Sequence, residues 1–75
     1  MICVKNIKLI DGIITCDVKG ESSDFTMEVS IANWDKLKIS LGGDIYDACH
    51  VRNRLHRLCM EQEGDLPDSF SLYFG

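Results

Sequence analysis

Residues 44–64, DIYDACHVRNRLHRLCMEQEG, form the longest stretch of the chain with one continuous periodicity. Residues suited to burial recur there at steps of three and four, which is the spacing of one face of an α-helix. The predicted inward face consists of Ala48, Val51, Leu55, Leu58, Cys59 and Gln62, extended toward the first turn by Ile45 and Cys49. Because so narrow an apolar face does not keep an isolated helix folded, we expect it to pack on the rest of the chain.

Both ends of this segment carry helix boundary signals. Asp44 is a good N-cap, and Asp47 places a second carboxylate in the first turn, where the helix dipole favours negative charge. Gly64 suits the left-handed conformation of a C-terminal cap, and Pro67 prevents continuation. The pattern predicts a main helix over residues 44–63.

Length and composition indicate one small globular domain. The chain has 75 residues, of which 45% are hydrophobic and 27% charged, and this balance argues against disorder. It contains no apolar run of the roughly 20 residues that span a bilayer, and its N-terminus does not resemble a signal peptide. We therefore expect a cytoplasmic protein that does not engage membranes and whose four cysteines are reduced thiols.

A β-hairpin is predicted over residues 2–19. Asp11 and Gly12 separate two runs rich in β-branched residues, a pattern typical of a two-residue type I′ turn. That turn pairs Ile10 with Ile13 and, in a regular ladder, Ile7 with Cys16. The resulting core face carries Ile7, Leu9, Ile14, Cys16 and Val18.

The opposite face of the predicted hairpin is more apolar than a solvated surface requires. A regular ladder places Ile2, Val4, Ile10 and Ile13 on it, beside Lys8 and other polar residues. This excess predicts that the face is covered by something else, and a homodimer would cover it.

The remaining segments differ in how clearly they predict structure. Residues 25–31 alternate apolar and polar side chains and predict a third strand. Residues 33–41 fit either a fourth strand or a short helical turn in which Trp34 and Leu37 close one end of the core, and we favour the turn. Residues 69–74 alternate again and predict an edge strand or a segment that packs on a partner.

These elements predict an α+β fold. We expect a three-stranded antiparallel β-meander with one long amphipathic helix packed across one face. The C-terminal segment is the candidate for an additional edge strand.

Charge is unevenly distributed along the chain. The net charge is −4, but residues 48–60 contain three arginines and no acid, and the remainder carries five lysines against twelve acids, a net charge of −7. We call His50, Arg52, Arg54, His56 and Arg57 the basic strip. It suits a protein partner or the phosphates of nucleic acid, or it is a solvated face with pairs such as Arg57 with Glu61.

The cysteines suggest two kinds of chemistry, metal binding and nucleophilic catalysis. Cys49, His56 and Cys59 approach one another on the predicted helix, and Cys16 projects from the core face of the sheet, so the four are weak candidates for zinc ligands. They lack the tight C-x-x-C pair of structural zinc sites and are better interpreted as small buried residues. No spacing indicates a nucleophile with its base, so we predict no metal, no cofactor and no enzyme activity.

The sequence therefore predicts a small protein-binding module that acts as a regulator, an inhibitor or an assembly subunit. Its predicted partner is another protein, itself as a homodimer, or both. The alternative is a dimeric nucleic-acid-binding regulator that uses the same arginines. The predicted contact residues are His50, Arg52, Arg54 and Arg57 on the helix and Phe70, Tyr73 and Phe74 at the C-terminus.

Overall fold

The computed structural model describes residues 1–21 and 23–73 and has an α+β fold, as predicted. Five antiparallel strands form one sheet in the order β4-β3-β2-β1-β5, and one helix packs on it. The strands are β1 (Ile2–Ile10), β2 (Ile13–Lys19), β3 (Asp24–Ser30), β4 (Asn33–Ile39) and β5 (Phe70–Leu72), and the helix is α1 (Ile45–Glu61). The meander has four strands, so the expected three-stranded sheet is wrong in that detail.

The hairpin turn between β1 and β2 is the predicted one. Asp11 and Gly12 have φ of 52° and 76°, and a type I′ turn requires positive φ at both central residues. Ile10 pairs with Ile13 directly beside the turn. The turn chemistry therefore determines the register of the hairpin next to it.

Further from the turn, a β-bulge shifts the register away from the regular ladder. Lys8 pairs with Thr15, but Lys5 pairs with Asp17. Two residues of β1, Asn6 and Ile7, therefore lie opposite one residue of β2, Cys16. Asn6 has φ of 54°, a left-handed conformation that asparagine tolerates better than most residues. Its side-chain amide donates a hydrogen bond of 2.7 Å to Asp17 Oδ2.

Because of this bulge, the outer face of the hairpin is less apolar than the sequence predicted. An extra residue in a strand reverses which face the following residues occupy. Ile2 and Val4 therefore lie on the same face as Ile7, and all three are buried beneath the helix. Only Ile10 and Ile13 of the four supposedly surplus side chains remain exposed.

Residues 33–39 form strand β4, so the favoured helical turn is wrong. Leu37 pairs with Val29 and Ile39 with Met27, and both side chains pack against the core. The register then shifts, because Asn33 pairs with Ser30 and residues 34–36 have no partner on β3. This irregular stretch explains the mixed sequence pattern and places Trp34 against the core.

Helix α1 lies within the predicted residues 44–63. At its start, Asp44 Oδ1 accepts a hydrogen bond of 2.8 Å from the backbone N–H of Tyr46. At its end, Glu63 and Gly64 adopt φ of 52° and 86°, and the Gly64 N–H donates to the Cys59 carbonyl at 3.0 Å. This hydrogen bond is characteristic of a Schellman motif. Here Glu63, and not a glycine, occupies the first left-handed position after the C-cap.

The core lies between the helix and one face of the sheet. Ala48, Val51 and Leu55 of the helix are completely buried there. The strands contribute Ile2, Val4, Ile7, Ile14, Cys16, Val18, Phe25, Met27, Val29 and Leu72. Within the described residues, no helix combines the length and the apolar character that crossing a bilayer requires.

The C-terminal segment adds the edge strand that the sequence suggested. Phe70 pairs with Val4 and Leu72 with Ile2, so β5 lies antiparallel to β1. Before it, the Asp68 carbonyl accepts a hydrogen bond of 3.1 Å from the Ile7 N–H, beside the bulge. Phe74, the last residue of the predicted aromatic set, lies outside the described residues.

Asn6→Val is expected to destabilise the fold by about 1–2 kcal/mol, because a β-branched residue resists a positive φ. Asn6→Gly is the matched control, since it also removes the hydrogen bond to Asp17 but tolerates the left-handed backbone. Urea denaturation of the two variants measures the difference. Equal stabilities would show that the left-handed conformation is not a constraint.

Glu63→Gly is expected to raise the free energy of unfolding by roughly 0.5–1 kcal/mol, because glycine relieves the left-handed strain at the helix end. Glu61→Gly, which removes the same charge inside the last helical turn, is expected to lower it by about 1 kcal/mol. Thermal and urea unfolding monitored by circular dichroism test this sign reversal. A loss of stability in both variants would contradict the cap assignment.

Candidate functional site

The helix divides the basic strip between two flanks. At about 100° per residue, His50, Arg54 and Arg57 fall within roughly 60° of one another on the side away from the core. Arg52 lies about 140° around the axis from Arg57. The basic strip is thus not a single surface, and three of its members form the outward basic face.

Arg52 and His56 make contacts on the other flank. The Arg52 guanidinium donates to the side-chain oxygen of Asn53, at 3.4 Å from Nε and 3.2 Å from Nη2. The His56 ring lies on Trp34 of β4, with 4.6 Å between ring centroids and 36° between planes. His56 is therefore engaged in the contact between helix and β4, and Arg52 is bonded to its own chain neighbour.

The outward basic face carries its arginines without an intrahelical ion pair. In the described part of the chain, Arg57 and Glu61 do not form the pair that a solvated helix face would favour. Arg54 is half-buried and Arg57 exposed, and no carboxylate of residues 1–21 or 23–73 forms an ion pair with either guanidinium. Their positive charge is available to a partner.

Exposed apolar residues cluster at the N-terminal end of the helix. Leu41 is fully exposed at the tip of the β4–α1 loop, and Ile45 and Tyr46 follow it with about half and 78% of their surface exposed. The loop itself is anchored, because a Cβ on Gly43 would lie 3.0 Å from the Phe25 ring. The Gly43 N–H also donates to the Ser40 carbonyl at 3.1 Å.

The C-terminal aromatics differ in their availability. Phe70 is half-buried in β5 and packs against the core, so most of its apolar surface serves the fold. Tyr73 is exposed after the strand. Of the predicted C-terminal contact residues that the structure describes, only Tyr73 presents a large free surface.

The cysteines do not assemble into a site. All four are free thiols, with Cys16 buried and Cys3, Cys49 and Cys59 half-buried. Among residues 1–21 and 23–73, no three His, Cys, Asp or Glu side chains come close enough together to hold a metal ion. The weak candidates Cys16, Cys49, His56 and Cys59 are therefore not brought together, and His56 contacts Trp34 instead.

Burial makes the Cys16 thiol a poor nucleophile. Desolvation in the core, with a smaller contribution from the Asp17 carboxylate, raises its pKa from 9.0 to about 12. The nucleophilic form of cysteine is the thiolate, which is scarce at neutral pH under these conditions. Cys16 acts as a small apolar core residue.

The face of the sheet opposite the helix is open and polar. It has two shallow depressions of about 510 and 550 Å³ that share the side chains of Asn6, Asp17, Thr26 and Ser40. All five lysines of the chain lie on exposed strand positions. Three face a carboxylate across the sheet, in the pairs Lys5–Asp17, Lys19–Asp24 and Lys38–Glu28. Alternating charges of this kind stabilise strand register. They favour neither an anionic nor a cationic ligand.

Comparison of the chain with models of protein families, with curated proteins and with solved structures finds no match to any of them. The assignment of function therefore depends on the surfaces described above.

The exposed apolar residues at the N-terminal end of the helix were not predicted from the sequence. The sequence pattern assigned Ile45 to the buried face, considered Leu41 only within the alternative fourth strand and made no prediction for Tyr46, whereas the structure exposes all three. Two consecutive glycines after Leu41 were a usable signal, since they allow a tight loop that leaves the preceding side chain outside the core.

Cys16 is expected to make stability fall as the pH rises from about 9 toward 12. Its folded pKa is raised above 9.0, so in this range the unfolded thiol ionises while the folded thiol stays protonated, which favours unfolding. In this range the free energy of unfolding should fall with a slope that approaches about 1.4 kcal/mol per pH unit, and replacing Cys16 by valine should remove that slope. Urea denaturation of both proteins between about pH 8 and about pH 11 measures the difference. Parallel curves of unfolding free energy against pH would contradict the assignment.

Proposed function

We propose that this chain is a small protein-binding module without catalytic activity, which acts as a regulator, an inhibitor or an assembly subunit. The contact surface, called here the helix surface, consists of Leu41, Tyr46, His50, Arg54 and Arg57. The observation that carries the proposal is the continuity of an exposed apolar end with an outward basic face on one helix.

The residue types on the helix surface support a protein partner. Tyrosine and arginine are enriched at protein interfaces and among the residues that contribute most to binding energy. Leu41 adds a fully exposed aliphatic side chain on an anchored loop, which loses little conformational freedom on binding. Such a surface fits a partner that has an apolar recess beside acidic side chains.

The distribution of arginine makes nucleic acid the weaker alternative. Arg52 lies on a different flank from Arg54 and Arg57, so one groove would not receive all three side chains. Acidic residues also lie at both ends of the helix, at Asp44 and Glu61, where they would repel phosphates. A complex of this kind would weaken steeply with salt, and an interface centred on Leu41 and Tyr46 would not.

Affinity capture of the tagged chain from a lysate of its source organism tests the proposal. We expect a stoichiometric protein that is retained after nuclease treatment and at moderate salt. Arg54→Glu combined with Arg57→Glu should remove it, and so should Leu41→Ser, without change in the melting temperature. Leu41 is fully exposed, so the fold does not depend on it.

The control is Lys8→Glu, which reverses an exposed charge on the open face of the sheet opposite Thr15 and so places no two carboxylates against each other. It should retain the captured protein. Capture that is equally strong with all variants would exclude the helix surface, and recovery of nucleic acid that disappears with salt or nuclease would favour the alternative.

A further inference from the structure

A second apolar surface lies at the opposite end of the molecule, where the two hairpin turns meet. Ile10 and Ile13 are cross-strand partners, and the Ile31 N–H donates to the Gly12 carbonyl at 3.0 Å. We call Ile10, Ile13 and Ile31 the isoleucine patch. All three are exposed, Ile10 by 63%, although β-branched apolar residues are usually buried.

A small cavity of about 210 Å³ adjoins this patch on the outer face of the sheet, lined by Ile13, Glu28, Val29, Ser30, Lys36 and Lys38. It lies where the register of β3 and β4 shifts and residues 34–36 have no partner. Its volume is below the roughly 300–1,000 Å³ of small-molecule sites and suits a single side chain. Two lysines and one glutamate make its rim net positive.

The chain carries a complementary surface at the same end. The acidic segment, defined as Met60, Glu61, Glu63 and Asp65, is exposed throughout, and Met60 shows 72% of its surface. No basic residue follows Arg57 in the sequence. The segment lies near the hairpin turn, because a Cβ on Gly64 would be 4.0 Å from Leu9 Cδ2, and Leu9 precedes Ile10.

We propose that the isoleucine patch of one molecule binds the acidic segment of a second copy, so that the protein forms a two-fold symmetric homodimer. The patch lies on the outer face of the sheet and the segment follows the helix on the inner face, and both belong to one end of the molecule. A two-fold axis at that end places each patch against the partner copy's acidic segment.

The chemistry of the two surfaces favours a second copy over an unrelated partner. Met60 is long and flexible enough to enter a cavity for one side chain. Glu61 and Glu63 then lie near Lys36 and Lys38 of the other molecule. Glu28, the one acid in the cavity lining, is already opposite Lys38 across the sheet.

The required contact is compatible with the size of the chain. A stable interface covers about 800 Å² on each partner, roughly one-sixth of the 4976 Å² surface of this chain. Leu41 and Tyr46 of the helix surface lie at the other end of the molecule and stay exposed, whereas Arg57 is one turn from Met60 and Glu61 and borders the dimer contact. The dimer would therefore present two copies of the apolar end of the proposed protein-binding surface, which strengthens binding to a multivalent partner.

Sedimentation velocity on the purified full chain, at concentrations from low to high micromolar, tests the dimer directly. We expect a dimer that dissociates on dilution and weakens with salt. Lys36→Glu combined with Lys38→Glu, and separately Glu61→Lys combined with Glu63→Lys, should each weaken dimerisation at least about tenfold through like-charge repulsion. An equimolar mixture of the two variants should dimerise again, because each contact then joins opposite charges.

One control variant and one further test variant keep this test independent of folding. Lys5→Gln combined with Lys19→Gln changes the charge at the far end of the same face without setting two carboxylates opposite each other, and it should leave the dimer unchanged. As a further test, Met60→Ala removes the side chain that is proposed to enter the cavity without changing the charge, and it should weaken the dimer. Circular dichroism verifies that every variant is folded.

A wild-type chain that is monomeric at all concentrations, or a mixture that fails to associate, would overturn the proposal. So would a dimer that every substitution leaves unchanged. The measurement uses no partner protein, so its failure is distinct from a failure of the helix surface in affinity capture.

Discussion

The left-handed backbone at Asn6 determines which side of the first strand the core is built on. Before it, Ile2 and Val4 face the helix; after it, Ile7 does so as well, although strict alternation would place it on the other side. One inserted residue therefore puts apolar side chains from both halves of β1 into one layer. In a sheet covered on only one face, this is what gives the single helix enough apolar surface to pack against.

A second irregularity, in β4, has comparable consequences for the surface. The shift beside Ser30 leaves residues 34–36 without a partner strand. On the inner side it brings Trp34 against the core and under His56, and on the outer side it leaves the cavity near Lys36. Departures from regular pairing thus create both a packing contact and a recess that an ideal sheet would lack.

The two proposed binding surfaces follow from how the fold distributes charge and from what the core leaves exposed. Arginines lie on the helix, lysines on the strands, and a purely acidic segment comes after the last arginine. Packing of Gly43 against Phe25 anchors a loop from which Leu41 projects, and adjacent hairpin turns expose three isoleucines. Apolar groups that lie next to charge of one sign are typical of recognition surfaces.

The sequence by itself determined the features that depend on neighbouring residues: the helix with its Asp44 cap, the Asp11–Gly12 turn, the third strand and the α+β class. Local periodicity and turn chemistry decide these within a few residues. Only the tertiary structure decided the bulge at Asn6, the strand at 33–39, and the division of the arginines between two flanks. It also exposed Leu41 and Tyr46 and brought the isoleucine patch and the acidic segment to one end. These features depend on pairing and packing between residues distant in the chain, whose energies override local preference and are not written in any short stretch of sequence.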